Sequence, residues 1–374
     1  MTIPVLKPSI GEEEIAAVQE VLRSGWLGLG PKTAEFEEKF AEYVGADYAV
    51  GLNSGTAALH LAVEALGVQK GDEVIVTPMT FISSVHAIAY TGATPVFADI
   101  EHDTMNIDVK DIEQKISDKT KAIIVVHLAG HPCEIDEISE LADRYGLYII
   151  EDAAHACGAT YKGHKVGSLS DLTCFSFHAV KNLTCGEGGA ITCNSEWYTR
   201  FFKEMRWVGI SKDTWTRSSK EKVYAWQYWV DKIGYKYHMS DINAAIGIVQ
   251  LQKIDRLNEK RRYIAKRYVE GLKDLDWITL PQEKPHISSS WHLFQIKLPS
   301  RKIRDNLIAH LKDNDVSPGV HYLPAHLQPC YRNIKASVPV ANEIWKRILS
   351  LPMFPDLTDG ETDKVIDAVR SLEV

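Results

Sequence analysis

Apolar residues follow two different periods along the first two hundred positions of the chain. Over residues 12–22, Ile15, Val18 and Val21 recur at helical spacing behind an acidic first turn, which predicts an amphipathic helix. Short apolar stretches then alternate with helical patterns. We predict strands over 47–50, 73–77, 94–98, 121–127, 147–150, 173–177 and 190–192, and helices over 54–66, 82–90 and 135–145. This alternation predicts an α/β fold with a mostly parallel sheet covered by helices.

The alternation stops near residue 201, and the rest of the chain has a different pattern. Residues 206–237 are rich in aromatic side chains, and a helical pattern then runs from 241 to about 272. The basic residues of that pattern, Arg261 among them, are most simply explained as a solvated face. Residues 277–374 mix short strand and helix patterns. We therefore expect a large domain over residues 1–245 and a small C-terminal α+β domain over residues 246–374, entered by the long helix.

The charge and composition of the chain argue against several classes of protein. Its 42 basic and 50 acidic residues give a net charge of −8, which disfavours coating nucleic acid or an anionic membrane surface. No apolar stretch approaches the roughly 18 residues of a membrane span, and the first residues lack the pattern of a secretion signal. None of the six cysteines forms a Cys-x-x-Cys pair. We expect a cytoplasmic protein with reduced cysteines, no metal site, and no nucleic-acid or membrane partner.

Residues that could bind a ligand or take part in catalysis follow several of the predicted strands. Ligands of an open parallel sheet bind beyond the carboxyl ends of its strands. Gly55 and Thr56 open a helix there, where free N–H groups could bind phosphate, although plain capping by Ser54 explains the same residues equally well. Phe81 follows another strand, and it could stack on a flat ring or simply belong to the core.

Charged side chains follow two later strands. Asp152 and His155 come directly after the strand at 147–150, and a carboxylate at that depth needs a cationic partner. A salt bridge or a helix cap would also explain Asp152, and His155 could be an ordinary core histidine. Lys181 lies between an apolar strand and the glycine-rich turn 186–189, where a lysine can lose its proton and act as a nucleophile; the alternative is a surface lysine at a strand end.

Together these elements meet the needs of one cofactor. Pyridoxal 5′-phosphate requires an anion-binding helix terminus, a stacking aromatic side chain, a carboxylate that keeps its pyridine nitrogen protonated, and a lysine that forms a Schiff base. Each element is weak evidence by itself, but their occurrence in one chain favours this cofactor.

The order of these motifs resembles that of a known family. NSGTAAL, TPMTF, EDAAHA, SFHAVKN with GEGG, and GYKYHMSDINAAIGIVQL follow one another as they do in the DegT/DnrJ/EryC1/StrS family of pyridoxal-phosphate-dependent sugar aminotransferases, and the similarity covers nearly the whole chain. The resemblance implies a fold-type-I, aspartate aminotransferase-like architecture. It also implies pyridoxal phosphate as the cofactor, with pyridoxamine phosphate as the intermediate form.

The resemblance implies roles for the residues that match the motifs. Lys181 corresponds to the lysine that bonds to the cofactor and moves the proton, and Asp152 to the partner of the pyridine nitrogen. His155 corresponds to the residue that touches the ring hydroxyl, and Phe81 to the stacking aromatic. The positions that contact phosphate are those of Gly55, Thr56 and Ser176.

Other positions are implied to serve the neighbouring subunit or the substrate. Lys236 stands where many members have an asparagine that reaches the phosphate of the neighbouring subunit, so the resemblance implies a homodimer with shared active sites, with 206–237 as its candidate interface and substrate loop. The substrate-facing motifs contain Trp26, His321, Tyr322 and His326, and plain polar residues of the small domain remain the alternative for the two histidines.

The function expected from the resemblance is transfer of an amino group from glutamate to a nucleotide-linked ketosugar. Because SFHAVKN is similar to one branch of the family, we expect amination at C-4 of a UDP-linked 4-keto-6-deoxy sugar in aminosugar or polysaccharide biosynthesis. Amination at C-3 of a dTDP- or GDP-sugar is an alternative. So is a ketosugar dehydratase of the same fold, although those members replace the lysine by histidine and this chain retains Lys181.

Overall fold

The computed structural model describes residues 2–211, 228–230 and 232–373 of the chain. Its α-helices are Glu12–Ser24 (α1), Pro31–Val44 (α2), Gly55–Ala65 (α3), Ser83–Tyr90 (α4), Val109–Lys115 (α5), Ile135–Tyr145 (α6), Glu196–Met205 (α7), Asp241–Leu272 (α8), Arg301–Asp313 (α9), Pro339–Ile344 (α10) and Asp359–Arg370 (α11). Its strands are Tyr48–Leu52 (β1), Glu73–Val76 (β2), Thr94–Phe97 (β3), Thr120–Val126 (β4), Tyr148–Asp152 (β5), Thr160–Tyr161 (β6), His164–Lys165 (β7), Leu172–Ser176 (β8), Gly189–Cys193 (β9), Ile287–Ser288 (β10), Phe294–Lys297 (β11) and Ile348–Leu351 (β12).

The main sheet confirms the predicted mostly parallel α/β architecture. Its strand order is β1-β9-β8-β5-β4-β2-β3. Strands β8, β5, β4, β2 and β3 pair in parallel, whereas β9 is antiparallel to both of its neighbours, β8 and β1. The carboxyl ends of β1, β5 and β8 therefore lie at the same edge of the sheet. Each predicted strand of this sheet is present, with its ends within two residues of the prediction.

Helix α2 was not predicted, although its sequence has clear start and stop signals. Pro31 occupies its first turn, and Gly45 ends it with a positive φ of 78°. Phe36 and Phe40 are fully buried and pack against the aromatic residues of β8 and the segment after it. In the sequence, the helix lies between the first predicted helix and the first predicted strand. Its buried side chains pack against the main sheet.

The long helix α8 connects two separate hydrophobic cores. Its first half, including Ile248 and Ile254, packs with α2 and the main sheet. Its second half, including Ile264 and Tyr268, packs with the antiparallel pair β11–β12 and with helices α9 and α11. The helix thus places residues of the C-terminal part of the chain beside the end of the main sheet.

One basic residue of α8 is not on a solvated face, contrary to the sequence interpretation. Arg261 is 1% exposed, and its Nη1 donates a hydrogen bond of 2.9 Å to the backbone oxygen of Met353. Burial lowers the pKa of this guanidinium to about 9. A periodic pattern of charges could not reveal this because the residues that cover Arg261 come from a segment about ninety positions later.

Within the described residues, no helix is both long enough and apolar enough to span a bilayer. All six cysteines have free thiols; five are buried and Cys330 is exposed.

Candidate active site

A cavity of about 360 Å³ lies at the carboxyl ends of the central strands. Side chains from the main sheet, from α3 and α4, and from the C-terminal part of the chain all line it. Nine of the twelve site residues predicted from the sequence contribute to its lining: Gly55, Thr56, Phe81, Asp152, His155, Ser176, Lys181, His321 and Tyr322. The fold therefore brings together predicted site residues that are far apart in the sequence, from Gly55 to Tyr322.

Asp152 is the last residue of β5 and points into the cavity. Its neighbour Glu151 points to the other face of the sheet, because side chains alternate along a strand, and there it pairs with Nε2 of His127 at 2.8 Å. Asp152 is 5% exposed, and it accepts hydrogen bonds from Oγ of Ser84 at 2.6 Å and from the backbone N–H of Ala154 at 3.1 Å. Burial raises the pKa of the Asp152 carboxyl, and these two donors oppose that rise.

Lys181 follows β8 in a turn closed by its own backbone N–H, which donates to the backbone oxygen of His178 at 2.9 Å. Its side chain lines the same cavity as Asp152. Burial lowers the pKa of the Lys181 amine from 10.5 to about 8, and the charge of Asp152 limits that fall. A lysine with this pKa is partly neutral near physiological pH, so it can act as a nucleophile.

The amino-terminal end of α3 approaches the end of β8. Oγ of Ser54 accepts from the N–H of Ala57 at 3.1 Å, so Ser54 does cap the helix, as the simpler interpretation proposed. This cap leaves the N–H groups of Gly55 and Thr56 available to a ligand. A Cβ at Gly55 would lie 2.8 Å from Cβ of Ser176, which shows how closely the helix end and the Ser176 hydroxyl come together. The two elements form a compact cradle suited to an anion.

The glycine-rich turn 186–189 has a packing role in this cradle. A Cβ at Gly189 would lie 2.4 Å from the backbone of Ser54. Only glycine lets β9 approach the start of α3 so closely.

Three histidines and a tyrosine form one side of the cavity, and we call this group the histidine wall: His155, His292, His321 and Tyr322. Nε2 of His155 and the hydroxyl of Tyr322 are hydrogen-bonded at 3.1 Å, and the ring of His292 lies 4.3 Å from that of His155. Burial holds the pKa of His155 and His292 well below the ordinary value and lowers that of His321 to about 4. The wall is therefore neutral at physiological pH.

His292 was missed by the sequence analysis. It stands in the apolar stretch around residues 291–294, where a histidine is most simply a core residue. Nothing in its own neighbourhood pointed to a site, since its contacts with His155 and with Asn182 join positions more than one hundred residues apart.

The mouth of the cavity carries an exposed aromatic side chain and a histidine close to a glutamate. Phe81 is 58% exposed although it is a large apolar residue, and its ring lies 6.2 Å from that of Tyr322. His178 and Glu187, which also line the cavity, are 3.9 Å apart. An exposed ring at a pocket entrance is available to stack on a planar ligand.

The other three predicted site residues do not line this cavity. Nε1 of Trp26 donates to the backbone oxygen of Leu29 at 3.0 Å. Nε2 of His326 lies 3.0 Å from Oδ1 of Asn342. Nζ of Lys236 lies 3.2 Å from the centre of the Trp207 ring, a cation–π contact on the chain's own surface. Most of the aromatic segment 206–237, which was the candidate interface, lies outside the described residues.

The residues of the cavity fit pyridoxal phosphate. The buried Asp152 makes no ion pair within 4.0 Å in the described part of the chain, so a cationic ring nitrogen would supply the partner that a buried carboxylate needs. The cradle of Gly55, Thr56 and Ser176 could hold the phosphate, and Lys181 could reach an aldehyde between them. The described residues contain no group of three His, Cys, Asp or Glu side chains arranged to hold a metal ion.

Comparison with known proteins gives a consistent result. The sequence model described as the DegT/DnrJ/EryC1/StrS aminotransferase family matches residues 8–370. The chain is similar to the spore coat polysaccharide biosynthesis protein SpsC of Bacillus subtilis, with 42% identity over 99% of this chain and 97% of that protein.

Solved structures of similar proteins have the same fold over their whole length. Spr1654 of Streptococcus pneumoniae, named as a sugar aminotransferase and solved in its PLP form, superposes with a TM-score of 0.92 at 35% identity, covering 99% of this chain and 98% of that one. Helicobacter pylori PseC, an aminotransferase involved in the biosynthesis of pseudoaminic acid, superposes with a TM-score of 0.93 at 29% identity and with the same coverage.

Proposed function

The chain belongs to the DegT/DnrJ/EryC1/StrS aminotransferase family, and on that premise we propose that it transfers an amino group from glutamate to C-4 of a UDP-linked 4-keto-6-deoxy sugar. That it is a pyridoxal-phosphate-dependent aminotransferase follows from the family and from structural neighbours in PLP and PMP forms. The observation that carries the proposal is the cavity that joins the amine of Lys181 to the carboxylate of Asp152 beside an anion cradle.

When bound, the cofactor supplies a cationic ring that withdraws electrons from the substrate carbon under reaction. We propose that Asp152 keeps the ring nitrogen protonated through its negative charge, oriented by Ser84 and Ala154. Phe81 would cover one face of the ring and so exclude water from it. His155, the third residue after Asp152, would face the ring hydroxyl, and its neutral imidazole provides a hydrogen bond without adding charge.

Lys181 would carry out the two tasks that need an amine. Its Nζ would hold the cofactor through a covalent bond and, when free of that bond, would accept and return the proton that amino transfer moves. A pKa of about 8 suits both tasks, because general acid–base catalysis is most efficient when the pKa lies near the working pH. The same residue serves both half-reactions, so we propose ping-pong kinetics.

Several findings support a sugar as the amino acceptor. Spr1654, SpsC and PseC are named for sugar aminotransfer, spore coat polysaccharide and pseudoaminic acid, respectively. His321 and Tyr322 line the cavity, so they are the proposed substrate contacts that the geometry supports. The same role for Trp26 and His326 stays a prediction. By analogy with SpsC, we propose that the product enters the synthesis of a polysaccharide or a related glycan.

The function is tested with two successive half-reactions of the purified protein. Glutamate added to the pyridoxal phosphate-loaded protein should convert its visible absorbance to that of pyridoxamine phosphate and release 2-oxoglutarate. The converted protein is then presented with UDP-, dTDP- and GDP-linked ketosugars, and the product is identified by mass spectrometry and NMR. We expect a UDP-4-amino-4,6-dideoxy sugar.

Other outcomes of this experiment would each correct a specific part of the proposal. A protein that converts glutamate but aminates only a dTDP- or GDP-linked 3-ketosugar would contradict the proposed acceptor. A keto-deoxy product without nitrogen would indicate the dehydratase reaction. A protein that binds the cofactor and ignores glutamate would require a different amino donor.

The pH dependence of cofactor capture follows from the pKa of Lys181. The amine is protonated below a pH of about 8 and neutral above it, and only the neutral form attacks the cofactor aldehyde. The rate at which the cofactor-free protein forms its covalent bond should therefore rise about tenfold between pH 7 and pH 9 and then level off. Stopped-flow absorbance measures this rate. A profile that keeps rising to pH 10 would mean that the lysine has its ordinary pKa.

We also propose a homodimer in which Lys236 serves the active site of the neighbouring subunit. Lys236 does not line the cavity of its own chain, and exposed apolar side chains surround the same segment, with Trp229 71% and Ile233 94% exposed. Surface apolar groups of this size favour association. Light scattering should give twice the chain mass of 41.9 kDa; a single-chain mass at micromolar concentration would contradict the dimer.

We propose the boundary between the two domains at residues 245 and 246, within the first turns of α8.

A further inference from the structure

Glu187 is the one residue of the glycine-rich turn 186–189 that has a side chain. The turn is held between the ends of β8 and β9. The backbone N–H of Phe177 donates to the backbone oxygen of Gly188 at 2.8 Å, and the N–H of Cys185 donates to the backbone oxygen of Phe177 at 2.9 Å. Gly186 has a φ of 78°, which glycine adopts without strain. The side chain of Glu187 is therefore presented to the cavity from a fixed backbone.

Glu187 is a charged lining residue to which the cofactor gives no role. Among the described residues that line the cavity, the carboxylates are Asp152 and Glu187, and Lys181 is the only lysine or arginine. Asp152 and Lys181 are assigned to the cofactor. The side chain of Glu187 is 68% exposed whereas Asp152 is buried, so Glu187 lies at the mouth of the cavity. Both substrates therefore meet its negative charge as they enter.

The carboxylate oxygens of Glu187 are available to a ligand. Nε2 of His178 lies 3.9 Å from Oε1 of Glu187, which is too long for a hydrogen bond. The carboxylate accepts no hydrogen bond from the described residues. Because an ionised carboxylate can only accept, it suits a ligand that offers an O–H group, an N–H group or a cation.

Of the two substrates, the sugar offers donors that can reach the mouth of the cavity. Glutamate has one donor, its ammonium group, and that group must approach the cofactor beside Lys181 in order to react. The two carboxylates of glutamate are repelled by Glu187. A ketosugar carries hydroxyl groups on ring carbons that do not react, and these groups stay free to donate. Their hydrogen bond to a charged acceptor is also stronger than a bond to a neutral one.

We propose that Glu187 is a specificity-determining residue, which accepts a hydrogen bond from a ring hydroxyl of the acceptor sugar and whose negative charge weakens the binding of glutamate. The inference rests on the proposed function, because it concerns the ketosugar half-reaction in the same cavity. It places a sugar contact on the turn between β8 and β9 of the main sheet, whereas the proposed contacts His321 and Tyr322 come from the C-terminal part of the chain.

The test is Glu187→Gln, which keeps the shape of the side chain and removes its charge. The two half-reactions are measured separately by the absorbance of the bound cofactor. We expect KM for the UDP-linked 4-keto-6-deoxy sugar to rise about tenfold, because a charge-assisted hydrogen bond is replaced by a neutral one. We expect KM for glutamate to fall about twofold, because a like charge at the mouth is removed. The two substrates should thus respond in opposite directions.

UDP alone separates a contact with the sugar from a contact with the nucleotide. It carries the uridine and both phosphates of the substrate but no ketosugar. The dissociation constants of UDP and of the UDP-linked ketosugar for the pyridoxamine phosphate form are measured by quenching of tryptophan fluorescence. In Glu187→Gln, the affinity for the sugar nucleotide should fall about tenfold, whereas the affinity for UDP should not fall.

Glu196→Gln is the matched control. Glu187 comes shortly before β9 and Glu196 shortly after it, so the two exposed glutamates stand at opposite ends of one strand, and Glu196 does not line the cavity. Glu196→Gln should leave both KM values and both affinities unchanged. Thermal unfolding of the two variants should match that of the wild type, which shows that any effect of Glu187→Gln arises at the site.

Three results would overturn the inference. The first is a Glu187→Gln variant with unchanged affinity for the sugar nucleotide. The second is a variant that loses both half-reactions alike, because Glu187 would then serve the cofactor or the turn. The third is an equal loss of affinity for UDP, which would move the contact to the nucleotide. A wild-type enzyme that aminates no ketosugar would overturn the proposed function as well, and this failure is recognised before any variant is made.

Discussion

Replacement of Lys181 by alanine is expected to reduce turnover by at least about 10³-fold, because the same amine holds the cofactor and transfers the proton. The variant should also lose the absorbance of the covalently bound cofactor, while pyridoxal phosphate itself can still enter the cavity beside Asp152 and the cradle of Gly55 and Ser176. Both half-reactions are measured separately, with glutamate and with the ketosugar. Each should fail, because a single lysine serves both.

Lys121→Ala controls for the loss of a lysine as such. Lys121 is exposed near the start of β4, at the end of the sheet away from the cavity. Its replacement should leave turnover unchanged. Thermal unfolding of the cofactor-free proteins shows whether Lys181→Ala is folded; since the change removes a buried amine whose pKa is depressed, its stability should not fall. A folded Lys181→Ala variant that retains turnover would contradict the proposed mechanism.

Replacement of Asp152 by asparagine should reduce turnover by about 10²- to 10³-fold. The amide has the shape of the carboxylate but no charge, so it cannot keep the ring nitrogen of the cofactor protonated. The two half-reactions and the absorbance spectrum of the bound cofactor measure the loss. Burial raises the pKa of Asp152, which means that the ionised carboxylate is less favourable in the folded protein than in the unfolded chain. At pH values above the raised pKa, this ionised group therefore lowers the free energy of unfolding. The cofactor-free variant should accordingly be at least as stable as the wild type.

Glu151→Gln provides the contrast on the other face of the same strand. Glu151 is fully buried, pairs with His127 and accepts a hydrogen bond from the hydroxyl of Thr173 at 3.0 Å. Loss of its charge should lower the free energy of unfolding by about 2 kcal/mol and leave the half-reactions unchanged. If Glu151→Gln impairs catalysis as much as Asp152→Asn, the assignment of one carboxylate to the cofactor and the other to the fold is wrong.

Local sequence patterns predicted the main sheet well because each of its strands carries its own signal. The run from Ala122 to Val126 is apolar throughout, as expected for a strand buried on both faces, and β4 occupies it. The burial of Arg261 was missed because the segment that covers it, around Met353, is distant in the sequence, and no local period records it. Helix α2 was missed although its signals are local, with Pro31 in its first turn, Gly45 at its end and buried residues such as Phe36 and Phe40 at helical spacing.

The sequence by itself determined which chemical groups stand at the strand ends. Asp152, Ser176 and Lys181 were identified as site candidates, and the parallel arrangement of β5 and β8 places their ends at one edge. The similarity of the ordered motifs identified the family, whereas only the extension of β5 to Asp152 placed Asp152 and Glu151 on opposite faces of the sheet.

The tertiary structure alone decided how those groups are poised. Lys181 has a pKa of about 8 only because folding surrounds it with buried neighbours. The histidine wall is assembled from residues 155, 292, 321 and 322, and its neutrality is not encoded near any one of them. Desolvation and hydrogen-bond direction depend on which side chains surround a group in space, and the chain sets these only when it closes the C-terminal part over the end of the sheet.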